Sequence, residues 1–334
     1  MRKILRLFLI FGIGLSLLGL SSPVEIRARE ISLGFSFSPS YAEYLGLDPQ
    51  DAYLEILDSF DFKMVRIPVY WDRAYQEGSY DFSESEFLVQ EAKRRGLQVV
   101  LSFGYRNFRW PECYAPDELA NLPYERFEEE VLGFEREVLE AFSKDGLVDF
   151  WQLENEPFLH FNFQCRFLRP ATLTKSIEQI RYSDVYGRPI LLTFGGLEVL
   201  GLPLIWPLID SADLIGVSFY PRMIETVSKL YVEPYLWGPL APRQISRERA
   251  FVEGKGKGYW VIEFQAEPWA EDPRTMSPEI LRGNWNNILS WGGADRVFVW
   301  GPEWWLKEKA AGRPEVFEAA QNLFNLPFSR AELE

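Results

Sequence analysis

The amino-acid sequence predicts a single-domain α/β protein, a (β/α)8 TIM barrel occupying residues 29–334. Three observations lead there. From about residue 30 onward, eight short β-rich runs alternate with amphipathic helical stretches, the pattern of a parallel sheet wrapped in helices. Several of these runs are apolar throughout, as strands covered on both faces must be. The chain, 334 residues with 47% hydrophobic and 16% aromatic, also has enough material for one barrel of roughly 250 residues with long loops. An open doubly wound sheet is the alternative. It lacks its glycine-rich fingerprint after the first strand, and Gly195-Gly196 after the fifth stands isolated. No internal repeat or low-complexity linker marks a second domain.

In chain order, the first strand is expected at Ile31–Phe37. A helix over 49–60 follows, with Asp48 as N-cap and Pro49 in its first turn. The second strand is Met64–Val69. Ser83 and Glu86 have the spacing of a capping box at the head of a helix that Gly96 ends. The third strand, Gln98–Phe103, precedes a long loop and a helix from Tyr124 to Lys144 whose Phe127, Val131, Phe134, Val138 and Phe142 share one face. The remaining strands are expected at Phe150–Asn155, Ile190–Phe194, Leu214–Phe219, Trp260–Phe264 and Val297–Trp300. Weaker helical patterns cover 171–186, 202–210, 244–253, 277–291 and 314–324. The loops after strands three, four and six are long, and in such a barrel they build the functional face.

Ahead of the barrel, Met1-Arg2-Lys3 and Arg6 form a positive start, and Leu7 to Leu20 is uncharged and apolar. That length suits a signal peptide better than a spanning helix, which needs about 20 residues. Residues 1–28 therefore read as a signal peptide, cut near Gly19-Leu20-Ser21-Ser22 or after Ala28, or as an uncleaved N-terminal membrane anchor. Both readings put the rest of the chain outside the cytoplasm, secreted or on the cell surface.

Composition narrows the chemistry. With 35 basic and 49 acidic residues the net charge is −14, and no basic stripe offers itself to nucleic acid. The two cysteines and the single histidine, His160, have no metal-ligand spacing, so neither a metal nor a cofactor is expected. A Ser-His-Asp device would depend on His160 alone. Twelve Trp and fifteen Tyr serve either a large core or stacking on sugar C–H faces. A monomer is expected.

Two segments carry reactive groups. In Trp151-Gln152-Leu153-Glu154-Asn155-Glu156-Pro157 a buried strand ends in polar residues, where a parallel barrel opens its pocket. As a plain strand-to-helix turn, Asn, Glu and Pro would also fit. In Trp260-Val261-Ile262-Glu263-Phe264-Gln265-Ala266-Glu267-Pro268-Trp269 a carboxylate ends an apolar strand, which is costly unless it is paired or functional. Three strands apart in order, Glu156 and Glu263 would face each other across the barrel mouth. Glycoside hydrolysis with retention uses such a pair about 5–5.5 Å apart, one protonating the leaving oxygen and one attacking the anomeric carbon. Glu154 and Glu267 would replace them if the strand ends slip by two, and Glu267 could otherwise bind a sugar hydroxyl.

At these residues the chain resembles clan A of the glycoside hydrolases, which includes families 5, 42 and 53. That resemblance places the acid/base at Asn155-Glu156 after strand four and the nucleophile at Glu263 after strand seven. Arg66, in Val65-Arg66-Ile67-Pro68-Val69-Tyr70-Trp71, looks like the clan's strand-two arginine, and a guanidinium there favours the carboxylate form of Glu263. Gly216-Val217-Ser218-Phe219-Tyr220-Pro221 is similar to the galactanase strand-six segment, whose Tyr contacts the nucleophile. Trp300, before Gly301-Pro302-Glu303-Trp304, looks like the clan's tryptophan platform, and Gly78-Ser79-Tyr80-Asp81-Phe82 resembles a run in family 42. Asn155 would then donate to a sugar 2-hydroxyl. The resemblance covers about residues 30–325 and implies a retaining β-glycosidase that acts on a polysaccharide or oligosaccharide. The histidines of family 5 after strand three and near strand six are replaced by Ser102-Phe103-Gly104-Tyr105 and Tyr220-Pro221-Arg222, so its substrate specificities do not carry over. A carbohydrate-binding barrel without turnover is the alternative.

Aromatic residues in loops after strands, namely Trp71, Tyr105, Trp110, Trp237, Trp269, Trp304 and Trp305, are stacking candidates. Trp71, Trp269 and His160 join Arg66, Asn155, Tyr220 and Trp300 as expected substrate-binding residues. His160 would orient Glu156 or line a subsite, or be a plain loop residue. Cys113 and Cys165, in neighbouring loops on the catalytic face, are expected to form a disulfide in an oxidising compartment.

Overall fold

Eight strands pair in parallel and close on themselves. They are β1 (Ser32–Ser36), β2 (Met64–Pro68), β3 (Gln98–Phe103), β4 (Phe150–Leu153), β5 (Ile190–Phe194), β6 (Leu214–Phe219), β7 (Gly258–Gln265) and β8 (Arg296–Trp300). The ring closes where Ser32 pairs with Arg296 and Ser36 with Trp300. The structure, a computed structural model, describes residues 31–144, 146–159, 165–195, 199, 205–224, 231–232, 241–291 and 294–325. The expected leader or anchor, His160 and Trp237 lie outside these residues.

Helices cover the barrel: α1 (Pro49–Ser59), α2 (Ser83–Arg94), α3 (Tyr124–Phe142), α4 (Pro170–Ser183), α5 (Trp206–Ser211), α6 (Ala241–Gly254), α7 (Pro278–Trp291), α8 (Pro302–Ala310) and α9 (Glu315–Phe324). Asp48 caps α1 by accepting from the Asp51 N–H at 2.9 Å. The capping box expected at α2 does not form. Ser83 is already helical, and its N–H donates to Asp81 Oδ1 at 2.9 Å, so Asp81 takes the anchoring role. In α3 the five apolar positions at helical spacing are all buried.

Side chains alternate along each strand, and the alternation sorts the barrel into layers. Inward-facing Met64, Val100, Phe150, Leu191, Trp260, Ile262 and Phe298 form an apolar plug. Two residues further along their strands come Arg66, Ser102, Gln152, Thr193 and Trp300, joined by Ser36 of β1 and Ser218 of β6, all of them buried. A polar layer therefore caps the plug at the C-terminal ends of the strands. The outward set, such as Val65, Val99, Trp151 and Val297, packs under the helices.

β7 breaks the alternation. Its register slips against both neighbours between Val261 and Phe264. Ile262 belongs to the plug, and Phe264 packs outward against Trp285 of α7. Strict alternation from Ile262 would send Glu263 out toward the helices. The bulge instead turns Glu263 inward, beside Ser218.

Trp71 is not a stacking residue. It opens a short helix, Trp71–Ala74, and is fully buried with its ring stacked on Phe134 of α3 at 5.4 Å. Trp71→Ala should cost about 3–5 kcal/mol of stability in a denaturant titration. Trp305 is likewise core, donating its indole N–H to the Ala266 carbonyl at 2.7 Å.

Cys113 and Cys165 are joined in a disulfide, with Cα atoms 5.7 Å apart, that ties the loop after β3 to the loop after β4. The bridge spans 52 residues of sequence. Closing a loop of that size removes about 4 kcal/mol of unfolded-chain entropy. Replacing both cysteines with Ser should lower unfolding free energy by up to that amount, and the wild type in reductant should match the variant.

Candidate active site

Arg66 is the hub of the polar layer. Fully buried, it donates Nε–H to Gln152 Oε1 at 2.7 Å, Nη1–H to Glu263 Oε1 at 3.0 Å and Nη2–H to Asn155 Oδ1 at 2.5 Å. Its guanidinium lies 4.1 Å from the centre of the Phe108 ring. A buried guanidinium needs this many acceptors, and the C-terminal end of β4 with Asn155 just beyond it, and β7, supply them to the arginine of β2. Tyr220 donates to the second oxygen of Glu263 at 2.7 Å. Burial, and then the charge of Glu263, push the Tyr220 hydroxyl far above the ordinary tyrosine range, so it remains a donor. Glu263 is thus held on one oxygen by a cation and on the other by a phenol.

Glu156 approaches from β4. Glu154 and Glu156 both have left-handed backbones, with φ of 57° and 44°. Non-glycine residues adopt that region only where the surroundings fix it. For Glu156 the Thr193 hydroxyl of β5 accepts its N–H at 2.9 Å. The Ser218 hydroxyl of β6 then donates to its carboxylate at 2.5 Å. Ser218 is also the cross-strand partner of Glu263, so one serine stands between the two glutamates. The same Thr193 reaches Asn155 Oδ1 at 3.3 Å. With that oxygen already bound by Arg66, the Asn155 amide is oriented with its NH2 as the remaining donor.

Glu154 does not exchange roles with Glu156. Its carboxylate is fully buried and accepts the N–H groups of Tyr105 at 2.8 Å and Arg106 at 2.5 Å, clasping the loop after β3. Gly104, at φ 125°, makes room, since a Cβ there would sit 2.3 Å from Glu154 Oε1. Burial raises the Glu154 carboxyl from 4.5 to about 8, against the pull of the two N–H donors. Between these values the folded state keeps a proton that the unfolded chain has released. Its stabilising contribution is therefore full below pH 4.5 and is lost as the pH rises through about 8. Glu154→Gln, which mimics the protonated form, should flatten the decline in stability between about pH 5 and 8 by on the order of a few kcal/mol.

A second buried cluster, which motif reading missed, backs Trp300. Arg109, in the loop after β3, lies between two rings, 3.7 Å from the centre of Tyr41 and 4.0 Å from that of Trp300. It donates to Glu267 through Nη1 and to Glu303 Oε2 at 3.3 Å through Nη2. Glu267 thus serves as a partner of Arg109. Glu303, fully buried, also accepts the Ser38 N–H at 2.8 Å. Burial raises its carboxyl to about 7, Arg109 opposing and Glu267 adding to the rise. One face of Trp300 is thereby covered by a guanidinium, while Phe108 and Tyr220 meet its ring at steep angles, 68° and 84°.

Of the other expected residues, Trp269 is half-buried and packs edge-on against Tyr220 at 5.3 Å. Trp110 is 71% exposed and Trp304 half-buried. Tyr105 is buried and accepts the Arg166 N–H at 2.7 Å. Among the described residues no group of three or more His, Cys, Asp or Glu could hold a metal ion.

No protein-family model matches the chain, and none of the curated proteins does. Solved structures do. The GH5_18 protein of Streptomyces cattleya, in complex with GlcNAc, has a TM-score of 0.59 at 15% identity, over 82% of this chain and 71% of that one. An endo-1,4-β-xylanase from Caldicellulosiruptor owensensis has a TM-score of 0.54 at 14% identity, over 81% and 85%. An exo-β-1,4-mannosidase from Opitutaceae bacterium strain TAV5 reaches 0.58 at 18%, over 84% of this chain and 54% of its own. What the chain shares with them is the (β/α)8 barrel. In that barrel Glu156 and Glu263 occupy the ends of the fourth and seventh strands, above the apolar plug.

Proposed function

We propose that the protein is a retaining glycoside hydrolase with Glu263 as nucleophile and Glu156 as general acid and base. The observation that carries this reading is the unequal seating of the two carboxylates around one polar layer. Glu263 rests between Arg66 and Tyr220, a cation and a phenol that fix both of its oxygens. Glu156 meets the neutral Ser218 hydroxyl. In the first step Glu156 gives its proton to the glycosidic oxygen as that bond to the anomeric carbon breaks. Glu263 forms an ester to the same carbon. In the second step water attacks the anomeric carbon, Glu156 takes the water's proton, and the ester to Glu263 breaks. Asn155 offers its NH2 to the sugar 2-hydroxyl, a contact that strengthens in the oxocarbenium-like transition state. Trp300 supplies an aromatic wall to the bound sugar.

The substrate is a β-linked polysaccharide or oligosaccharide. Two structural neighbours are named for β-1,4 linkages, to mannose and xylose, which makes β-1,4-glycans the first compounds to screen. A 2-fluoroglycoside that is turned over slowly should leave its label on Glu263 in a peptide map, and proton NMR should show product of retained configuration. Label on another residue, or inverted product, refutes the assignment. Binding of glycans without turnover in both wild type and Glu263→Gln would favour the carbohydrate-binding alternative.

A further inference from the structure

We infer that the face of the barrel opposite the proposed catalytic site lies against a lipid bilayer, with the N-terminal segment as the tether and Tyr182, Val185 and Tyr186 as the second point of contact. Because all eight strands are parallel, their N-terminal ends share one face. β1 begins there at Ser32, so the described chain starts on that face, and the apolar stretch Leu7 to Leu20 precedes it in sequence. Only eleven residues, 21–31, separate the apolar stretch from β1. Fully extended they reach about 40 Å at most, which keeps the domain at the surface of whatever holds the apolar stretch.

The same face carries an unusual concentration of apolar surface. Six large hydrophobic side chains stand exposed among the described residues, and three of them fall within five consecutive positions. Tyr182 is 91% exposed, Val185 84% and Tyr186 54%. They occupy the last turn of α4 and its connection to β5, on the N-terminal side of the strands. The other three, Tyr44, Trp110 and Phe167, belong to segments that follow β1, β3 and β4, toward the opposite end. Tyrosine rings, apolar in body and polar at the tip, suit the headgroup layer. β5 lies across the ring from β1, four strands away in either direction. A tether at β1 and an apolar contact at β5 therefore hold the face at two opposite edges, which fixes its tilt.

Charge agrees with this placement. The chain carries −14 overall, yet the charges on this face are largely matched: Lys93 with Asp149, Arg95 with Asp58, Arg181 with Asp213, Arg188 with Asp184 and Lys255 with Asp210. Lys257 adds a cation whose ammonium is bound by backbone carbonyls, including that of Asp210 at 2.8 Å. An anionic membrane surface would thus repel this face less than the rest of the molecule. The polar layer around Glu156 and Glu263 then points away from the bilayer, toward a substrate in solution. Three side chains bind a bilayer weakly by themselves, but a short tether raises their effective concentration enough for them to set the orientation.

The test uses the full chain, recovered from membranes and placed in phosphatidylcholine vesicles that carry a nitroxide on the headgroup. A fluorophore on Val185→Cys should lose most of its emission, while one on Glu118→Cys, exposed in the loop after β3, should keep it. Adding Tyr182→Ser and Tyr186→Ser to the Val185→Cys chain should restore the emission, with an unchanged melting midpoint to show that the fold is intact. Equal emission at the two positions, or quenching at position 185 that survives both serine substitutions, overturns the proposed orientation. So does recovery of the protein from its own cells as a soluble chain lacking residues 1–28. None of these readouts requires turnover, so the inference stands or falls apart from the glycosidase reading.

Discussion

Glu263→Gln should reduce turnover of an activated aryl glycoside by at least about 10⁴-fold, the scale on which covalent mechanisms fail when their nucleophile is removed. The side chain keeps its size, and Gln can still accept from Arg66, so the loss should come without unfolding, as a melting curve will report. Azide sharpens the experiment. In the smaller Glu263→Gly chain it can attack the anomeric carbon from the vacated side and give a glycosyl azide of inverted configuration. In Glu156→Gly it would intercept the ester on Glu263 and give the retained one. The same configuration from both variants would sink the assignment of roles.

Arg66→Met should be the most damaging substitution outside the two glutamates, because it affects stability and chemistry together. The guanidinium satisfies Gln152, Asn155 and Glu263 at once. Removing it leaves a buried carboxylate without its cation, a loss of about 3–5 kcal/mol when one partner of a buried pair is deleted. Turnover of an activated aryl glycoside should fall as well, since Glu263 and Asn155 both lose the donor that fixes their orientation. Arg66→Lys should restore part of the stability but not the geometry. One ammonium lacks the planar fork that reaches three acceptors on two strand ends at once. Equal unfolding free energies for wild type and Arg66→Met would contradict the pairing.

The sequence made the barrel legible because its strands are continuous apolar runs set between helices. Seven of the eight expected strands begin within one residue of the observed ones, and Trp260–Phe264 lies inside β7 (Gly258–Gln265). Gln152 was legible in principle, since it lies two residues beyond the inward Phe150 and so faces the mouth. Arg109 was not. It acts from a loop, at φ 77°, on Glu303, which is 194 residues away, and no periodicity joins such positions. Trp71 misled for a related reason. It follows a strand, but the short helix it opens turns its ring toward α3 rather than the mouth. Glu263 was singled out because a carboxylate ended an apolar strand, although strict alternation along that strand would have turned it outward. The bulge that reverses this leaves no mark in the run Trp-Val-Ile-Glu-Phe.

That bulge has an electrostatic side as well. In β2, β3, β4 and β5 one outward residue separates the last apolar plug residue from the first polar one, whereas in β7 Ile262 and Glu263 are joined directly. The boundary between hydrocarbon and charge therefore falls within a single peptide unit. The carboxylate rests on a floor that contains few dipoles able to reorient, and what polarity it meets comes from the sides, from fixed donors on Arg66 and Tyr220. In the proposed reaction, as charge moves off Glu263 little in its surroundings would have to rearrange, so that one extra residue in a strand would lower the solvent-like reorganisation that the same step requires in water.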